Sequence, residues 1–414
     1  MTLPPPPRPD TPRLDLTPAS PRRYDLDALR GVAMLLGIVL HAAIPFVPYW
    51  EEGDTGGSFL FALFEYIHLW RMPLFFLLSG FFTAMLWHRR GLRALLDHRA
   101  RRIGLPLAIF YVPIIILVIL SFVFGYLIAG LDVEESERDG TADYSDPNET
   151  DDVGDTDDED DDEGAPFSWA HMWFLWHLLW LVGLFAAVAR SIDRIGARAP
   201  PPTVLAIAAW SLPFLSLIPF SFMAEDVLGP DTSETLIPAF HVLAFYACFF
   251  FFGALVFRTG DEPGPIDRLG RWWAPQLAAS IVVFVLLLGQ EFPDRLREPS
   301  EVLLAWMVSF AGIGLFRTRF ADPSFRVRWL SDAAYWMYLL HLPIVVFLQG
   351  VMAALGVPAL AGFVLIVAIT VAVLVPSYRY LVRYTPVGTL LNGERTKDGD
   401  VRLRAVIDLT RSGP

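Results

Sequence analysis

Cysteine is nearly absent: the 414-residue chain has one, Cys248, which excludes an intrachain disulfide. Lysine is as scarce, Lys397 being the only one among 32 basic residues. Charge is thin overall, at 19% of residues against 54% hydrophobic, and a water-soluble surface needs more than this. Also missing are the Cys and His spacings of zinc sites, a Gly-rich phosphate loop with its Lys, and the Gly-x-Ser-x-Gly elbow of lipase-type hydrolases. No metal is expected, and no nucleic-acid partner.

What is present is a series of apolar runs of the length that crosses about 30 Å of hydrocarbon as helix. They fall at 28–50, 58–87, 104–130, 169–189, 203–223, 236–257, 273–290, 300–316, 330–352 and 357–381. The chain therefore reads as an all-α, multi-pass protein of the cell membrane with about ten transmembrane helices. Proline falls inside several runs, at 45, 113, 213, 343 and 376, where a membrane helix tolerates it if the freed carbonyl finds a partner. The first run follows 27 polar, Pro-rich residues and reads as a retained helix rather than a cleaved leader.

Basic residues set the orientation. Counting Arg379 with the tail that follows it, 27 of the 32 fall in segments on one side of the alternating spans and 3 on the other. Both termini are then expected in the cytoplasm. This gives a tail at 1–27, a transmembrane domain at 28–385 and a second tail at 386–414. The net charge of −13 is concentrated in an external loop, 131–168, in which residues 132–163 hold 18 Asp or Glu against one Arg. Such a run repels itself and reads as a disordered, solvated spacer, with cation binding as the alternative. Scarce lysine and acidic loops suggest a high-salt, high-GC prokaryote, in short a halophile.

Ionisable groups inside hydrocarbon are costly and need partners, a cavity or one another. Arg30 and His41 in the first run are eleven positions apart, about 1100° of helix. They share a face and are separated by roughly 16 Å along the axis, from the cytoplasmic edge to mid-membrane. An interfacial Arg plus a hydrogen-bonded core His is the plain alternative. The second run carries Glu65, His68 and Arg71 as i,i+3 neighbours, and Arg71 needs an anionic or dipolar partner: Asp27, Asp332 or a ligand. His171 and His177 open the fourth run among tryptophans, where interfacial anchoring and acceptor binding weigh equally. His241 reads as interfacial. Tyr335, Tyr338 and His341 could line one polar stripe of the ninth run.

In order along the chain, "RYDLDALRG" running into "IVLHA", then "RMPLFFLLSGFF", "RRIGLPL", "HMWFLWHLL" and "YWMYLLHLP" resemble the acyltransferase-3 family of membrane acyltransferases. Within it they resemble the glucan biosynthesis protein C branch, regarded as succinylating periplasmic glucans. The resemblance spans about residues 22 to 385 and implies a ten-helix bundle. It implies transfer of an acetyl or succinyl group from cytoplasmic acyl-CoA to a hydroxyl of an extracytoplasmic glycan or related envelope acceptor. Arg30 and His41 match the family's Arg-x10-His motif, Arg71 its functional Arg, and Arg101 and Arg102 its basic pair. Expected roles follow: His41 as general base, Arg71 on the oxyanion or a donor carboxylate, and Arg30, Arg101 and Arg102 on the CoA phosphates. His68, Glu65, His171 and His341 are the candidate substrate contacts. The acidic insert departs from the family pattern on the side where the acceptor would bind. Membrane lipids are expected around the bundle, and self-association is left open. A secondary transporter is the alternative, though no clear internal repeat is visible.

Overall fold

The computed structural model describes residues 23–44, 55–129, 169–195, 200–224, 228–257, 268, 270–289 and 292–411. Tails 1–22 and 412–414 and the acidic segment 130–168 lie outside the described residues. All regular structure among the described residues is helical. The main elements are α1 Tyr24–Ala43, α2 Thr55–Arg99, α3 Leu105–Ala129, α4 Trp173–Ile195, α5 Pro202–Leu215, α6 Phe240–Val256, α7 Trp273–Leu287, α8 Asp294–Phe320, α9 Phe325–Ala354 and α10 Ala359–Ser377. Two further helices follow, α11 Pro386–Asn392 and α12 Lys397–Arg411.

Eight helices are long and apolar enough to cross a membrane, which makes this a multi-pass membrane protein. Two facts separate that number from the ten runs of the sequence. Gly57–Gly125 is a single helical stretch of 69 residues holding two of those runs, and Phe240–Val256 falls just short in length. The long stretch is not straight. Gly91, at φ 77° and ψ 173°, breaks α2 where only glycine is relaxed, and a π-helical turn at Ala100–Gly104 joins α2 to α3.

The core is built around α1, which packs on α2, α8 and α9, with α2 also against α8, α3 against α9, α6 against α2 and α7 against α8. Where water supplies no driving force, close backbone approach does the joining. A Cβ at Gly80 of α2 would overlap the Phe250 carbonyl, and one at Gly253 of α6 the Leu77 carbonyl, so these two helices meet through glycine. Aromatic rings fill the seam beyond them: Phe249 stacks on Trp306 of α8 at 3.8 Å between centroids. The outer faces are apolar as well. Ile109, Val112, Ile116, Ile119 and Val123 of α3 and Val364, Leu365 and Val373 of α10 are exposed, as lipid-facing residues must be.

The first helix differs from its expected span. It starts at Tyr24, with Asp25 and Asp27 in its first turn where the helix dipole favours negative charge, and it ends at Ala43. His41 therefore sits in the last turn of α1.

Candidate active site

A cavity of about 600 Å³ opens among α1, α2, α3, the turn before α4 and α9. Its polar lining comes from His41 at the end of α1, His68 and Arg71 one turn apart on α2, His171 in the 3-10 turn Ala170–Met172, and Tyr338, His341 and Gln349 on α9, together with Thr232 and Glu234. Ring centroids lie 5.1 Å apart for His41 and His341, 5.3 Å for His171 and His341, and 6.5 Å for His41 and His171. The i,i+3 spacing of His68 and Arg71, and that of Tyr338 and His341, places each pair on one face. Helix packing then turns the faces toward each other.

Arg71 reaches α1 at Gly37: a Cβ there would stand 2.9 Å from Arg71 Nη1 and 3.9 Å from His341 Nε2. Its Nε has no hydrogen-bond partner among the described residues. The carboxylates weighed as its partners are engaged elsewhere. Asp27 pairs with Arg30 at 3.6 Å, and Asp332 pairs with Arg395 at 3.1 Å and Arg383 at 3.6 Å. A cation in this position is suited to a ligand's negative charge.

Glu65 is fully buried but does not line the cavity. Its Oε2 accepts from the Leu228 N–H at 2.7 Å, while Glu301 Oε2 accepts from the next one, Gly229, at 2.8 Å. His68 donates from Nδ1 to the Leu228 carbonyl at 3.1 Å. These contacts fasten the chain at Leu228 and Gly229, just before Thr232 and Glu234 enter the cavity wall. Sequence reading gave Glu65 a substrate contact and passed over the loop, because a pairing across 163 residues leaves no local periodicity.

The remaining candidates are placed as follows. Arg30 donates to Ser331 Oγ at 3.4 Å, and its guanidinium sits over the Phe82 ring at 5.5 Å. Arg101 pairs with Asp97 at 2.9 Å on an exposed face. Arg102 donates to the Thr389 and Leu390 carbonyls at 2.9 and 3.1 Å, at the end of α11. The neighbour of Arg30 that spacing missed is Arg99, which donates to Thr83 Oγ1 at 2.8 Å and whose charge acts on that of Arg30. The two lie on different helices, so helical counting along either one does not find the pair. His177 hydrogen-bonds the Trp173 carbonyl of its own helix at 3.0 Å and lies off the cavity. His241 faces Asp231 at 3.9 Å. Tyr335 stacks beside Tyr338 at 6.5 Å between ring centroids, as its spacing implies, and its hydroxyl donates to the Arg102 carbonyl at 3.1 Å.

The acyltransferase domain of the acyltransferase-3 family matches residues 23–379. The chain belongs to that family. It is similar to the glucans biosynthesis protein C of Salmonella schwarzengrund, 26% identical over 352 residues, covering 79% of this chain and 83% of that one. The protein of the same description from Salmonella paratyphi A is likewise 26% identical, over 353 residues and the same shares of both chains. No solved structure matches the chain significantly. The protein is thus a membrane acyltransferase of this family, related to those proteins.

Proposed function

We propose that this acyltransferase moves an acetyl or succinyl group from cytoplasmic acyl-CoA to a hydroxyl of an extracytoplasmic glycan, with His41 as general base. The observation that carries the reading is the meeting of His41 and the Arg71 guanidinium, from different helices, in one cavity. The hydroxyl oxygen attacks the thioester carbonyl while His41 takes the hydroxyl proton. Arg71 faces the oxyanion that forms. The C–S bond then breaks, the ester leaves, and the imidazolium returns its proton to the CoA thiolate. Charge on Arg71 also suits the free carboxylate of a succinyl donor.

Topology completes the proposal. Taking Gly57–Gly125 as two crossings and Phe240–Val256 as one gives ten, with both termini cytoplasmic by the distribution of arginine. Arg30 and Arg99 then stand at the cytoplasmic end, on the side from which the CoA phosphates arrive. Arg101 and Arg102 contribute positive field there, Arg102 by exchanging its two carbonyl acceptors for phosphate oxygens. His68, His171 and His341 border the acceptor, and Glu65 acts on it through the loop it holds. The relatives' description supports a glucan as the class of acceptor.

The test uses purified protein in lipid vesicles with labelled acetyl- or succinyl-CoA, with and without a glycan extract. Acceptor-dependent CoA release and label in glycan are expected. Uptake of a small solute without label transfer would sink the reading in favour of a transporter.

A further inference from the structure

Two imidazoles of the cavity are fixed by backbone carbonyls, and the fixing decides which nitrogen each offers to a ligand. His341, 1% exposed, has Nδ1 at 2.7 Å from the Tyr338 carbonyl oxygen. A carbonyl only accepts, so Nδ1 carries the hydrogen and Nε2 of the neutral ring presents a lone pair. His171, 7% exposed, makes the mirror choice: Nε2 stands 3.3 Å from the Leu339 carbonyl, which leaves the lone pair on Nδ1. Neither His341 Nε2 nor His171 Nδ1 has a hydrogen-bond partner among the described residues, and both rings line the cavity. The Tyr338 hydroxyl donates to the His171 carbonyl at 2.7 Å, which holds the turn against α9 and keeps the two rings 5.3 Å apart.

Buried acceptors without donors are costly, about 1–3 kcal/mol each, and are kept where a ligand supplies the donor. Two lone pairs side by side, next to the proposed base, ask for a ligand with two neighbouring O–H groups. An anionic acceptor group brings more lone pairs and no hydrogen to give. A simple monohydric alcohol has one O–H to give, and when that hydroxyl reacts at His41 it satisfies neither ring.

We propose that His341 Nε2 and His171 Nδ1 form an acceptor-orienting pair that receives hydrogen bonds from the hydroxyls flanking the one acylated, so that the acceptor is a neutral vicinal polyol. This rests on the acyl-transfer reading above and deepens it by saying which chemical feature of the acceptor is read and by which atoms. The two histidines are positioning residues that take no proton in the transfer. A site built to pair a hydroxyl discriminates strongly against the analogue that lacks it, because its own polar group is then left unpaired.

The experiment measures transfer from labelled acyl-CoA by the full chain in lipid vesicles, to methyl glucoside and to its singly deoxygenated analogues. Wild type, His341→Phe, His171→Phe and His341→Gln are compared. For the wild type, at least one deoxy analogue should lose tenfold or more in kcat/KM. His341→Phe should bring the penalty of one such analogue to within about twofold, and His171→Phe that of the analogue lacking the other flanking hydroxyl. The parent sugar's KM should rise in each Phe variant by tenfold or more while the acyl-CoA KM holds. Gln can turn its amide oxygen toward the cavity, so His341→Gln should restore part of the discrimination, and it carries the test if the Phe variants fail to fold. Deoxy penalties that are equal in wild type and variants, or absent from the wild type, overturn the pair while leaving acyl transfer standing. A wild-type protein that acylates no sugar overturns the acceptor reading and this inference together.

Discussion

Arg383 and Arg71 are held in opposite ways, and the contrast separates the part of the molecule that holds shape from the part that receives a ligand. Arg383, 2% exposed, donates from Nε and Nη2 to Asp400 at 2.9 and 3.1 Å and from Nη1 to the Tyr378 hydroxyl at 3.1 Å. Tyr384 adds a bond to the same carboxylate at 2.9 Å, and Asn392 donates to the Asp332 carbonyl at 2.8 Å. This network pins α11 and α12 against α9. At the cavity, Arg71 Nε, His171 Nδ1 and His341 Nε2 end without protein partners among the described residues. A satisfied polar cluster specifies a fold, whereas an unsatisfied one beside a cavity is read as a place for substrate.

Substituting each arginine breaks the comparison most directly. Arg383→Met leaves Asp400 without its main partner and should cost about 3–5 kcal/mol of stability, while activity per folded molecule is kept. Arg71→Met should do the reverse, lowering transfer by about 10²–10³-fold with thermal stability unchanged or raised. Thermal unfolding in detergent and labelled-acyl transfer on the same preparations check both. If Arg71→Met unfolded the protein and Arg383→Met abolished transfer in folded protein, the two regions would have to exchange roles.

The loop fastened by Glu65 comes next. Glu65→Leu leaves the Leu228 N–H unpaired, at a cost of about 1–3 kcal/mol, and should raise the acceptor KM more than the acyl-CoA KM. Glu65→Gln keeps an oxygen acceptor and should stay near wild type in both. Gly37→Ala displaces the Arg71 guanidinium without removing it, and a roughly tenfold loss in kcat with little change in stability is expected. Loss of stability with unchanged kcat would show that Gly37 serves packing alone.

The smallest effect is in pH. Burial pushes the Asp400 carboxyl up, but hydrogen bonds from Arg383 and Tyr384 outweigh it and hold the group below its ordinary value. Its contribution is therefore complete above the ordinary carboxylate pKa of about 3.9 and is lost as pH falls through the depressed folded value. Hydrogen exchange in α12 should stay slow down to about pH 4, once corrected for intrinsic rates, and rise below it. Replacing Asp400 by Asn should remove that acid-side transition.

The apolar runs made the helices legible, because length and hydropathy decide what can span hydrocarbon. Shared faces were legible too. The helix period alone put His68 with Arg71 and Tyr338 with His341, and each pair does line the cavity. Contacts between distant segments were not. Nothing local in the sequence tells that Glu65 meets Leu228, that Arg102 meets the end of α11, or that Arg383 lies between Asp332 and Asp400. The C-terminal segment read as a plain polar tail because its few apolar residues are spaced for packing, not for spanning. Arg99 was not legible as a neighbour of Arg30 because the two lie on different helices.

The central claim is that acyl transfer takes place at His41 in this cavity. The most direct measurement compares wild type with His41→Ala, as full chains in lipid vesicles, for acceptor-dependent release of CoA from labelled acyl-CoA. The account predicts a loss of about 10²–10⁴-fold in kcat with thermal unfolding unchanged. A folded His41→Ala protein that transfers at the wild-type rate would contradict it.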